Sequence, residues 1–389
     1  MNSSWDVVVL GAGIVGAACA RECAGRGLRT AVVEGSVIGG GATAAGMGHI
    51  VVMDDSPAQL ALTRYSQTLW RGLADHLPDS VEFDACGTLW VATDEEEMEE
   101  VRRKQGVYAS VGVAAEVLDG QALAEAEPHL RRPMAGALHV ASDAVLYPPC
   151  AAAWLMEEAV RCGATLPAPR QIVSAGAGRV RLDDGTELHA EHIVVACGAD
   201  SSRLVPGLPV RKRKGHLVIT DRYPGWIRHQ LVELGYLKSA HSTTADSVAF
   251  NVQPRRTGQM LIGSSRQFGD EATDVRYGIL SAMLERARWY LPELGSCSAI
   301  RAWTGFRAAT PDKLPLIGAW PEDETLFVAT GHEGLGITTS LGTARLVADA
   351  LTGAETAIPL EPYLPGRFLG ARARQEMDAG TKMGSGVHA

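Results

Sequence analysis

The sequence predicts an α/β protein made of a parallel-sheet domain and a second, mainly antiparallel α+β domain. Three observations carry that expectation. After Asp6, the apolar run Val7-Val8-Val9-Leu10 leads into Gly11-Ala12-Gly13-Ile14-Val15-Gly16, and helix formers follow to about Gly27. A second apolar run, Ala31-Val32-Val33, finishes on Glu34. Strand, glycine turn, helix and strand with a terminal acid make a Rossmann-type dinucleotide unit. Residues 250–263 then alternate polar and apolar side chains, the pattern of an antiparallel sheet with one face covered.

Each part of the first unit has a physical task. Gly11 permits the sharp turn, Gly13 lets backbone approach a pyrophosphate, and Gly16 lets the helix lie close on the sheet. The phosphate then lies at the helix N-terminus, where unpaired N–H groups and the dipole favour an anion. Glu34 accepts hydrogen bonds from ribose hydroxyls and would repel a 2′-phosphate. Gly39 to His49 is a second stretch of small residues, which lets backbone lie flat against a large planar or phosphorylated ligand. A flavin enzyme needs such a segment; a nicotinamide enzyme does not.

Further along, Ser56 to His76 carries apolar residues at helical spacing. Cys86 to Val91 reads as a strand, Asp94 to Lys104 as a helix that starts with acids and ends with bases, and Cys150 to Cys162 as a helix. Val180-Arg181-Leu182 and Asp183-Asp184-Gly185 open a hairpin, and Ile193 to Ala196 is a buried strand returning to the first domain beside Gly198. Leu208 to Thr220 leaves that domain again, and Ile279 to Leu291 reads as a helix. Leu326 to Ala329 is a strand that runs into Gly331-His332-Glu333-Gly334-Leu335-Gly336, and a helix from about Thr338 to Leu351 ends at Gly353. The division expected is 1–84 with 142–210 and 311–364 for the dinucleotide domain, 85–141 with 211–310 for the second domain, and a mobile tail at 365–389.

A chain of 389 residues with a formal net charge of −9 lacks the basic footprint that nucleic acid requires. Its basic run, Arg211-Lys212-Arg213-Lys214, reads as a solvated strand edge. Seven scattered cysteines argue against a disulfide framework. Cys19 and Cys23 share a helix face, yet no second pair completes a metal site, so no metal is expected and buried thiols are the better reading. No stretch approaches the roughly 20 apolar residues of a membrane helix. The expected location is cytoplasmic, with attachment to the inner membrane face through a partner left open.

The chain carries one dinucleotide fingerprint, so electrons are expected to enter from an organic substrate rather than from a second nucleotide. Gly11 to Gly16, Ala44-Ala45-Gly46-Met47, Trp303-Thr304-Gly305-Phe306-Arg307 with Thr310-Pro311-Asp312, and Gly331 to Gly336 appear in the order that marks one superfamily. The chain resembles the glycine oxidase, D-amino-acid oxidase and sarcosine oxidase flavoproteins. Within them, the run Gly46 to Ser56 is most similar to flavin subunits of bacterial D-hydroxyproline dehydrogenases.

The resemblance implies an FAD-binding domain, a substrate domain and non-covalent FAD, because no cysteine stands between Trp303 and Arg307, where sarcosine oxidases tether the flavin. It places Gly35, Gly41, Ala42, Thr43, Ala45, Gly46, Met47 and Gly198 in the cofactor site, with Gly11, Gly13, Ile14, Val15, Gly16 and Glu34. Backbone around Ile172 is placed against the adenine. The amides of His332, Glu333, Gly334, Leu335, Gly336, Ile337 and Thr338 are placed near the flavin ring.

Arg307 matches the arginine that binds substrate carboxylate, and an arginine among apolar and glycine residues suits a planar anion. Asn251 and Arg266 stand where glycine oxidase has a tyrosine and a methionine, so the pocket is more polar, unless both sit on a strand's outer surface. Gly334 replaces a second family arginine. His49 is the remaining candidate in the site, and for it and for His332 simple packing is the alternative.

The expected activity is oxidation of a D-amino acid or cyclic secondary amino acid, D-hydroxyproline or D-proline first, to the imino acid by hydride transfer to the flavin. The alternatives are a glycine or sarcosine oxidase releasing hydrogen peroxide, and a flavin subunit of a larger dehydrogenase with other subunits or a separate electron acceptor.

Overall fold

A computed structural model describes residues 5–235 and 246–368. A seven-stranded sheet holds the first domain's strands in the order Leu316–Trp320, Asp323–Thr330, Glu187–Val195, Trp5–Leu10, Thr30–Val33. The last four of these pair in parallel. Glu187–Val195 does two jobs: its first residues pair antiparallel with the hairpin strand Arg179–Leu182, and its apolar end pairs with Trp5–Leu10. Helices Ile14–Gly25, Pro148–Arg161 and Gly336–Thr352 bury their apolar residues in one core with this sheet. The thiols of Cys19 and Cys23 lie in that core, and burial raises both pKa values, that of Cys23 to about 12.

The second sheet is wider than the sequence pattern predicts. Eight strands run Ala299–Ala309, Arg211–Thr220, Met260–Arg266, Ser247–Pro254, Gln230–Glu233, Thr88–Ala92, Gly136–Val140, Glu116–Asp119. All neighbours are antiparallel except Gln230–Glu233 with Thr88–Ala92. The predicted strand 86–91 and the alternating stretch 250–263 belong here. Gly136–Val140 and Gln230–Glu233 are short and mostly buried, so neither shows the polar–apolar alternation that betrays a strand.

The basic run corrects the sequence reading. Arg211 is exposed, but Arg213 is 5 % exposed and Lys214 fully buried, so the run is no solvated edge. Arg213 pairs with Glu333 at 2.9 Å and Lys214 with Asp270 at 3.1 Å, which makes burial of the charges tolerable. The acidic start of helix Glu95–Ser110 is, by contrast, an N-terminus capped by Asp94, whose carboxylate accepts from Glu97 N–H at 2.9 Å. Of the expected tail, residues 365–368 form a short turn, and Arg367 pairs with Asp312 at 2.7 Å. Residues 369–389 lie outside the described part.

Residues 47–55 cross between the two sheets and are fastened along their length. Thr338 Oγ1 donates to His49 C=O at 2.8 Å and accepts from Val51 N–H at 3.3 Å. Asp143 accepts from Val52 N–H at 3.2 Å and from Gln67 Nε2 at 2.7 Å. Tyr108 donates to Val52 C=O at 2.9 Å, and the fully buried Lys104 pairs with Asp54 while lying over the rings of Trp90 and Tyr108.

Burial pushes the Asp143 carboxyl up to about 7. A carboxyl raised in the folded state adds stability below its unfolded pKa, near 4, and that contribution is lost as pH rises through 7. Asp143→Asn keeps the acceptor and removes the titration. Its urea midpoint relative to wild type is therefore expected to rise between pH 4 and pH 8, by on the order of a few kcal/mol in free energy. A pH-independent difference would contradict the assignment.

Candidate active site

The glycine turn is built as the sequence demands. Gly11 has φ +95°, and a Cβ there would lie 2.8 Å from Ala196 C=O; one on Gly16 would lie 1.9 Å from Gly11 C=O. Helix and strand thus close on each other only because both side chains are absent. Glu34, at the end of its strand, accepts from Ala12 N–H at 2.7 Å and Ser36 N–H at 2.8 Å. Thr43 Oγ1 accepts from Ile14 N–H at 3.1 Å at the helix start.

This turn opens into a continuous cavity of about 820 Å³ that reaches the second sheet. Its wall includes Gly11, Gly13, Ile14, Val15, Glu34, Gly35, Gly41, Ala42, Thr43, Ala45, Gly46, Met47, Ile172, Gly198, His332, Glu333, Gly334, Leu335, Gly336 and Ile337. The wall also includes His49, Asn251, Arg266 and Arg307. Two predicted residues are not on the wall. Gly16 packs helix on strand behind the turn, and Thr338 is fully buried with its hydroxyl spent on the backbone of His49 and Val51. Of the amides from 332 to 338, Glu333 N–H donates to Ala308 C=O and Leu335 N–H to His332 C=O, each at 2.9 Å. Gly336 and Ile337 begin the helix Gly336–Thr352, whose first turn leaves N–H groups for an outside acceptor.

Arg307 projects from Ala299–Ala309 across the neighbouring strand. Its Nη1 donates to Ser265 C=O at 2.9 Å, and the guanidinium lies over Gly215, where a Cβ would come within 2.5 Å of Nη1. Gly215→Ala is therefore expected to displace the guanidinium and lower kcat/KM about tenfold without loss of fold. Steady-state kinetics beside a thermal melt would check it; unchanged kinetics would show that the arginine's position is immaterial. Asn251 and Arg266 are 6 % and 8 % exposed, so neither occupies the outer strand surface the sequence left open.

Both histidines are held uncharged. Burial pushes His332 down to about 3, and its Nε2 lies 3.0 Å from Thr343 Oγ1. Burial also pushes His49 down to about 4, with Gln230 opposing and the Arg307 charge reinforcing the shift. The acids on the wall are mostly engaged: Glu34 by amides, Glu333 by Arg213, and Asp200 by Lys212 at 3.4 Å, while Asp55 is exposed. Gln59, Trp90, Gln230 and Ser264 also line the cavity, and sequence reasoning did not find them. Among the described residues no group of three metal-ligating side chains occurs, and no helix is long and apolar enough to cross a membrane.

A glycine turn with its acid, opening into a cavity that reaches the second sheet, has the form of a dinucleotide site. Residues 6–350 match the family model described as FAD dependent oxidoreductase (DAO), and the chain belongs to that family. It is 30% identical to glycine oxidase of Geobacillus kaustophilus over 95% of this chain and 99% of that one. It is 29% identical to the hydrogen cyanide synthase subunit HcnC of Pseudomonas aeruginosa, over 95% and 97% of the two chains. The crystal structure of the Geobacillus glycine oxidase superposes with a TM-score of 0.82, at 28% identity over 93% and 98% of the chains. The protein is an FAD-dependent oxidoreductase, and the glycine cradle, the acid at the strand end and the elongated cavity fit that dinucleotide.

Proposed function

We propose that the protein oxidises a D-amino acid or a cyclic secondary amino acid, D-hydroxyproline or D-proline first, to the imino acid. The observation that carries this reading is Arg307 on the cavity wall, preset by Ser265 and Gly215 to receive a carboxylate. FAD, bound without a covalent tether, supplies the acceptor for the hydride that leaves Cα. Arg307 holds the substrate carboxylate in a charge-assisted, planar contact. The amine binds uncharged, lying over the flavin with its carboxylate on Arg307. No dedicated base is then required, in keeping with neutral His49 and with wall carboxylates that are paired or exposed. Positioning supplies most of the rate.

Steady-state turnover with D-hydroxyproline, D-proline, other D-amino acids, sarcosine and glycine tests the reading, with both a dye and oxygen as acceptor. The expected ranking puts the cyclic D-substrates first. Turnover of glycine and sarcosine alone, with hydrogen peroxide released, would replace it with the oxidase reading. The likeness to the hydrogen cyanide synthase subunit supports a second reading, a flavin subunit of a larger dehydrogenase. Dye reduction by the isolated chain would count against that dependence.

A further inference from the structure

We infer that the wall formed by Gln230, Asn251 and His49 is a recognition site for a neutral hydroxyl carried by the substrate away from its carboxylate. The inference rests on the reading of the cavity as an amino-acid site anchored by Arg307. Trp90, Val232, Asn251 and Gly263 are register partners in one row across four strands, with Thr88 and Gln230 paired one step along. Residues two apart on a strand share a face, so Gln230 stands beside this row. Met47 and His49 cover it: Gln253 Nε2 donates to Met47 C=O at 2.7 Å, and Asn251 Nδ2 lies 3.3 Å from His49 Nε2.

The wall is buried yet unfinished. Gln230 is 3 %, Ser264 4 % and Asn251 6 % exposed, and all three line the cavity. Asn251 Oδ1 and Ser264 Oγ nevertheless have no hydrogen-bond partner within the protein, and Gln230 has only the His49 imidazole opposite it. Folded proteins leave few such atoms, and each calls for an explanation. Here they occur on adjacent strands around one space.

The chemistry of the wall selects the partner. With Asn251 Nδ2 as donor to His49 Nε2, the neutral ring carries its proton on Nδ1, with the Gln230 side chain as its neighbour. The wall therefore offers amide acceptors and an imidazole donor side by side. A hydroxyl has one proton to give and two lone pairs to receive, which matches both. An ammonium finds no carboxylate among these residues, and an apolar ring carbon would leave Asn251 Oδ1 and Ser264 Oγ unsatisfied. A site built to hydrogen-bond a hydroxyl rejects the analogue without it far more strongly than an apolar pocket rejects an extra hydroxyl.

The test uses the FAD-loaded protein and two substrate pairs that differ by one hydroxyl, D-4-hydroxyproline with D-proline and D-serine with D-alanine. Wild type is expected to favour the hydroxylated member of at least the cyclic pair by about tenfold or more in kcat/KM, and Asn251→Leu and Gln230→Met to lower that ratio at least about tenfold. A wild-type ratio near one, with both members oxidised, overturns the hydroxyl site and leaves the amino-acid reading standing. If no member of either pair reduces the flavin, the amino-acid reading falls and the hydroxyl site with it. Loss of FAD from both variants with the ratio unaltered assigns these atoms to the cofactor instead. Should neither variant fold, the wild-type ratio decides alone.

Discussion

Arg307→Ala is expected to raise the KM for the amino-acid substrate by at least about tenfold and to leave FAD on the protein. The arginine is held in place before substrate arrives, by Ser265 C=O at 2.9 Å and by the open face of Gly215. A charge-assisted hydrogen bond of this kind contributes about 1.5–3 kcal/mol, which corresponds to roughly ten- to hundredfold in kcat/KM. The turn that cradles the dinucleotide belongs to the other sheet, so flavin content is not expected to change. Arg307→Lys keeps the charge but loses the planar fork and should recover only part of the activity. Kinetics and flavin absorbance after gel filtration read both effects. Unaltered KM on a carboxylate substrate would remove Arg307 from its role.

Glu34→Ala is expected to yield protein that loses its yellow colour on gel filtration while keeping its far-ultraviolet dichroism. The carboxylate ties the glycine turn to the end of the second strand through Ala12 and Ser36 amides. A carboxylate has about four acceptor positions, so it can serve those amides and ribose hydroxyls together. Alanine removes both services at once. A variant that stays fully yellow through the column would contradict the assignment.

What the sequence made legible was local. The first strand, turn and helix are contiguous, and each glycine's task follows from the backbone geometry around it. Arg307 stood out because its neighbours, Gly305 and Phe306, offer a guanidinium no partner. Burial of Arg213 and Lys214 was not legible, because their partners Glu333 and Asp270 lie 120 and 56 residues away. The polar wall was hidden for the same reason. Gln230 lies in a four-residue strand, and only the cross-strand register brings its row beside Asn251. The hydroxyl contacts of Thr338 to residues 49 and 51 span 289 and 287 positions and were hidden likewise.

In the proposed reaction electrons pass from an amino acid held by Arg307 to the bound FAD. Anaerobic titration of the purified, yellow protein with D-hydroxyproline, followed at the flavin absorbance, measures this directly. Bleaching in proportion to substrate, shifted to at least about tenfold higher concentration in Arg307→Ala, is the predicted result. A flavin that stays oxidised with every amino acid in the panel, or a folded protein that is colourless and takes up no FAD, would contradict it.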